Sequence, residues 1–129
     1  ANAQWHACLA AEERASKSQS SAVISDTDST VIRMWGRWVF DAEIPGLEDL
    51  EKWADITLIC APNIPWVADP LRSLPDLSDR QKLHQHYLDE LQNRADHPWV
   101  LIDGLTQEKR LEQSVRAVQF FRSDSSLSE

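Results

Sequence analysis

Asp55-Ile56-Thr57-Leu58-Ile59-Cys60 is the stretch on which the fold turns. After Asp55 it is apolar, β-branched and of strand length, with none of the alternation of a half-solvated strand. That pattern belongs to a strand buried on both faces of a parallel sheet. Working outward, Trp99-Val100-Leu101-Ile102 repeats the pattern and is closed by Asp103-Gly104. Between the two runs, residues 61–79 carry four prolines (Pro62, Pro65, Pro70 and Pro75) and no sustained period. A long irregular loop of this kind inside a compact domain is usually functional. Ser78 followed by Gln81 reads as a capping box opening a helix striped by Leu83, Tyr87 and Leu91. Upstream, the short run Ala22-Val23-Ile24 stops at Ser25-Asp26-Thr27-Asp28 and is expected to form a further strand.

The remaining pattern is helical. Residues 2–16 place Trp5, Cys8 and Leu9 on one stripe, and residues 29–40 place Val31, Ile32, Trp35, Trp38 and Val39 at helical spacing. Pro45-Gly46 marks a turn before a short helix over 47–53. Thr106 caps a last helix carrying Leu111, Val115 and Val118, and residues 123–129 form a polar tail expected to be disordered. Strands alternating with helices pair in parallel through crossovers. The fold class expected is therefore α/β, one domain over 1–122, with 61–80 as a lid-like loop. Three strands make a small sheet whose edges favour association into homo-oligomers.

Charge and composition narrow the function. Among 129 residues, 13 Lys and Arg against 21 Asp and Glu leave a net charge of −8, which disfavours a nucleic-acid arm or a polybasic membrane patch. No apolar run approaches the roughly 20 residues that span a bilayer. Two cysteines give no disulfide framework, and the start lacks a basic, apolar leader, so a cytoplasmic setting is expected. Only Gly36, Gly46 and Gly104 are present, which leaves neither G-x-x-x-x-G-K-[ST] nor GxGxxG within these residues. There is no G-x-S-x-G elbow, and His84 and His86, two apart on a helix, make a poor metal pair.

Three groups of residues carry candidate chemistry. Asp26 and Asp28 follow the first apolar run, and carboxylates at a strand's carboxyl end hold Mg²⁺ through water or accept a proton from an attacking hydroxyl. The alternative is that one of them caps the helix that follows. Arg72 and Arg80 in the proline-rich loop suit a lid that closes over phosphates, or pair with surface carboxylates such as Asp69 and Asp76. Trp66, between proline and valine, is placed to stack on a flat ring or to pin the loop. Cys60 is expected to be buried and inert.

The run Ile64-Pro65-Trp66-Val67-Ala68-Asp69-Pro70-Leu71-Arg72 is the most specific element. With Val23-Ile24-Ser25-Asp26-Thr27-Asp28, the strand ending at Cys60, Arg80, the strand 99–102, and Gly104 with Arg110, it resembles the ribosylnicotinamide kinase domain of the NadR-like P-loop ATPase/kinase family. That resemblance covers nearly the whole chain. It implies a P-loop NTPase-like three-layer α/β/α fold around a parallel sheet. It also implies transfer of the γ-phosphoryl group of ATP to nicotinamide riboside or a related nucleoside, with Mg²⁺ as cofactor. By resemblance, Asp26 and Asp28 are catalytic and orient Mg²⁺ through water, Arg72 and Arg80 are catalytic lid arginines, and Trp66, Asp69 and Trp38 bind substrate. The family's glycine after the loop aspartate is Pro70 here, and its first strand and Walker A loop would precede residue 2. The chain thus reads as the C-terminal part of such a kinase, inactive by itself. A non-catalytic nucleotide- or effector-binding regulatory module of the same fold is the alternative.

Overall fold

A computed structural model describes residues 2–17, 22–47, 54–68, 74–94 and 96–125. Its elements run α1 (Asn2–Lys17), α2 (Ser29–Phe40), β1 (Thr57–Cys60), α3 (Leu77–Gln92), β2 (Trp99–Ile102) and α4 (Gln107–Ser125). Mixed α/β is thus the class, with four helices and a two-stranded parallel sheet among the described residues. The chain divides into two compact units, Ala1–Ala54 and Asp55–Glu129. No helix among the described residues is long and apolar enough to cross a membrane.

In the first unit, α1 follows from a sequence rich in alanine, the strongest helix former. An exposed Glu13–Lys17 pair, 2.6 Å apart one turn along, adds only a few tenths of a kcal/mol (about 0.3–0.5). Of the expected stripe, only the Leu9 side chain is among those described, and it is exposed. In α2 the capping reading of Asp28 holds: its Oδ1 accepts the Val31 N–H at 2.9 Å. The helix ends where Asp41 turns into the left-handed region at φ 45°, and the Ala42 N–H returns to the Gly36 carbonyl at 3.0 Å. Ser29, Thr30, Met34, Gly36 and Leu47 are the buried residues among those described in this unit. Pro45-Gly46 forms the expected turn, with Gly46 at φ 78°, a conformation that any other residue enters with strain.

One expectation fails in this unit. Ala22-Val23-Ile24 is not a strand: the segment is irregular and Ile24 is 90% exposed. Three apolar residues flanked by serines are too short to hold a ladder. The helix expected over 47–53 lies, beyond Leu47, outside the described residues.

The second unit is a strand–loop–helix–strand–helix arrangement. β1 and β2 pair in parallel with Thr57 opposite Trp99 and Cys60 opposite Ile102. The ladder continues past both ends, Thr57 N–H to Pro98 O at 3.0 Å and Ala61 N–H to Ile102 O at 2.9 Å. At the amino end the Thr57 hydroxyl and His97 Nε2 are 2.7 Å apart. Ile59, Leu91 and Ile102 are the buried apolar residues among those described in this unit, so the stripe Leu83, Tyr87 and Leu91 does point its last member into the core. Both strands are short and lie at the edges of a two-stranded sheet, so burial on both faces is incomplete. Cys60, expected to be buried, is exposed at the end of β1.

Helix starts and ends also differ from the sequence reading. α3 begins at Leu77, directly after an extended Asp76 (φ −75°, ψ 128°) that makes no side-chain cap, so Ser78 lies inside the first turn and forms no capping box. The helix, entered from Pro75 and the extended Asp76, thus starts two residues earlier than the Ser78 pattern suggests. Thr106 does cap α4, its Oγ1 accepting the Lys109 N–H at 3.3 Å and its carbonyl the Arg110 N–H at 3.0 Å. The Glu108 carboxyl, hydrogen-bonded to its own backbone N–H and to Thr106, is held below the usual carboxylate range. α4 runs on to Ser125, into the segment read as a polar tail.

Burial on α3 holds the His84 pKa below its ordinary value near 6.5. The unfolded chain then binds the proton more readily than the folded one. His84 therefore contributes stability above about pH 6.5 that is lost as pH falls through the folded value. The expected result is a melting temperature that falls more steeply between pH 7.5 and 5.5 in the native chain than in His84→Gln. Parallel curves would remove burial as the cause.

Candidate functional site

The residues that come together most closely are at the carboxyl ends of β1 and β2, where ligands bind in open α/β sheets. Leaving β1, the chain passes Ala61 and Pro62 to Asn63; leaving β2, it passes Asp103 and Gly104 before α4 begins. Arg110, on the first turn of α4, reaches both exits. Its Nε donates to the Gly104 carbonyl at 2.8 Å, and one terminal nitrogen donates to the Ala61 carbonyl at 2.6 Å and to Asn63 Oδ1. Asn63 Nδ2 donates across to the Asp103 carbonyl at 2.7 Å. Gln113, three residues after Arg110 and so on the same side of the helix, closes the set. Its Nε2 donates to Asp103 Oδ1 at 2.7 Å and its Oε1 accepts the Gly104 N–H at 2.8 Å.

Glycine is required at 104 for space: a Cβ there would lie 2.9 Å from both the Arg110 nitrogen and the Lys109 Cβ. These contacts fix the rotation of α4. With Arg110 turned in, Ser114, Ala117 and Phe121 are half-buried; of the expected core stripe Val118 is half-buried, whereas Leu111 and Val115 are exposed. An open groove of about 510 Å³ lies against the cluster, with Asp103, Gln113, Leu105, Lys109, Glu112 and Arg116 on its walls. Glu112 and Arg116, one turn apart on its helical wall, pair at 2.6 Å. The groove thus sets polar groups from two strand ends and one helix beside exposed Leu105.

The residues singled out in the sequence fall elsewhere. Asp28 caps α2 and Asp26 is exposed two residues before it. Trp38 is half-buried near the far end of the same helix, about 15 Å along its axis from Asp28. Trp66 and Arg80 do meet, but with each other: the guanidinium carbon lies 4.7 Å from the centre of the indole. Arg80 also donates to the Leu74 carbonyl at 3.1 Å and to the Pro75 carbonyl. The pair pins the loop before α3. Asp69 and Arg72 lie outside the described residues. No group of three or more His, Cys, Asp or Glu that could hold a metal ion occurs among the described residues. Asp28 is committed to a backbone N–H.

Sequence reasoning missed Asn63 and Gln113. The available signal was an Arg and a Gln three apart at the start of a helix, directly after a strand-ending Asp-Gly.

Hydrogen bonds to a charged group contribute about 1.5–3 kcal/mol each when well formed, less where solvent screens them. Arg110→Ala is therefore expected to cost about 2–4 kcal/mol in urea unfolding followed through the amide resonances of β1 and β2. Lysine, a point donor, should restore less than half of this. Native stability in Arg110→Lys would mean that the forked contacts hold nothing together. Gly104→Ala is expected to cost about 1–3 kcal/mol through crowding. No family model, curated protein or solved structure matches the chain, so its functional reading rests on its own residues.

Proposed function

We propose that this chain is a small-molecule-binding α/β module of the ribosylnicotinamide-kinase type. It takes a nucleoside such as nicotinamide riboside at the groove between the strand ends and α4, in the cytoplasm. The observation that carries the reading is the convergence of Asn63, Asp103 and Gln113 at the carboxyl ends of two parallel strands beside an open groove. A carboxylate in that place accepts hydrogen bonds from the vicinal hydroxyls of a ribose. The pyridinium ring of the riboside is cationic and flat; Asp103 attracts its charge, Glu112 being paired with Arg116, and Leu105 offers apolar surface to its face.

In a complete phosphotransferase, ATP and Mg²⁺ supply the phosphoryl group and neutralise its charge. Two observations favour the non-catalytic version of this module. Arg80, the described candidate lid arginine, is stacked on Trp66 and bonded to loop carbonyls, and Asp28 is bonded to the helix it caps. Its role is then to bind the nucleoside as substrate or effector, with transfer completed by a P-loop elsewhere.

Calorimetry of the full chain tests this, with nicotinamide riboside and Mg²⁺–ATP titrated separately. Saturable riboside binding, weakened about tenfold by Asp103→Asn through loss of a charged acceptor, is the expected result, with ATP giving no heat. Tight ATP binding without riboside binding would overturn the proposal.

A further inference from the structure

Helix α4 has three sides, two of which are accounted for. Arg110, Ser114, Ala117 and Phe121 make a half-buried side, and Lys109, Glu112, Gln113 and Arg116 line the groove. The third carries Glu108, Leu111, Val115, Val118 and Arg122, at spacings of three, four, three and four residues. That is the a/d seam by which one helix pairs with another. It is open over its first two apolar residues, Leu111 at 66% and Val115 at 45% exposed, with Val118 half-buried, where a helix packed only for its own unit would show polar residues. The ends of the seam bear opposite charges, Glu108 in the first turn and Arg122 in the last.

Those charges choose the partner. Two copies of α4 laid parallel would set Glu108 against Glu108 and Arg122 against Arg122. Laid antiparallel, each Glu108 meets the partner's Arg122, the apolar residues cover one another, and the two helix dipoles oppose favourably. We propose that this seam is a self-association surface, on which a second copy of this chain docks its own α4 antiparallel through Leu111, Val115 and Val118. The seam spans only two heptads, so the dimer is weak and concentration-dependent. The groove lies on another side of the helix and stays accessible.

Sedimentation equilibrium of the full chain, from micromolar to near-millimolar concentration, tests the proposal. The expected result is a monomer–dimer equilibrium abolished by Leu111→Glu or Val115→Glu, with helical circular dichroism unchanged because both positions are exposed. Glu108→Arg and Arg122→Glu should each weaken dimerisation about tenfold, two repulsions replacing two attractions. The two changes together should restore it. A chain monomeric at every concentration would overturn the proposal. So would association that survives Leu111→Glu, or a double charge reversal that fails to rescue.

Discussion

Arg110 is the residue on which the second unit depends. Two parallel strands of four residues cannot hold their own exits in place, because each strand end leaves carbonyls pointing beyond the sheet. A single planar guanidinium with several fixed donors collects oxygens from both exits: Gly104 after β2, and Ala61 and Asn63 after β1. The contact to Ala61 closes a sequence separation of 49 residues. Tying the exits together is also what builds the candidate site. Asn63 and Gln113 both reach Asp103, and Arg110 ties their segments together there.

The same contact explains the least expected feature of α4. Successive residues on a helix point about 100° apart, so turning Arg110 inward turns Leu111 outward. The helix gives up Leu111 and Val115 to the surface in exchange for a polar anchor at the strand ends. Ser114 makes this tolerable on the inner face, its hydroxyl donating back to the Arg110 carbonyl at 2.8 Å. The exposed stripe then becomes available for a neighbour.

What could be read from the sequence follows the range of the forces involved. α2 and β2 were legible to the residue, because a cap, a period and a β-branched run are local signals. The parallel pairing followed from the alternation of elements alone. The start of α3 was misplaced because Pro75 acts on the chain before the capping pattern at Ser78 does. The exposure of Cys60 and the absence of a strand at Ala22-Val23-Ile24 depend on how many strands are present to pair, which no local pattern reports. The rotation of α4 depends on a hydrogen bond to Ala61, far away in the chain, so a stripe at the right spacing was assigned to the wrong side. For the same reason the candidate site lay around Arg110 and Gly104, rather than around the aspartates and tryptophans whose local surroundings drew attention first.

The central claim is that the strand exits tied by Arg110 form the ligand site. The most direct measurement is the mapping of amide shift changes in the full chain as nicotinamide riboside is added. The account predicts saturable changes centred on Asn63, Asp103, Gly104 and Gln113, with residues of the first unit unaffected. Changes confined to α2, or none at any of these four positions, would contradict it.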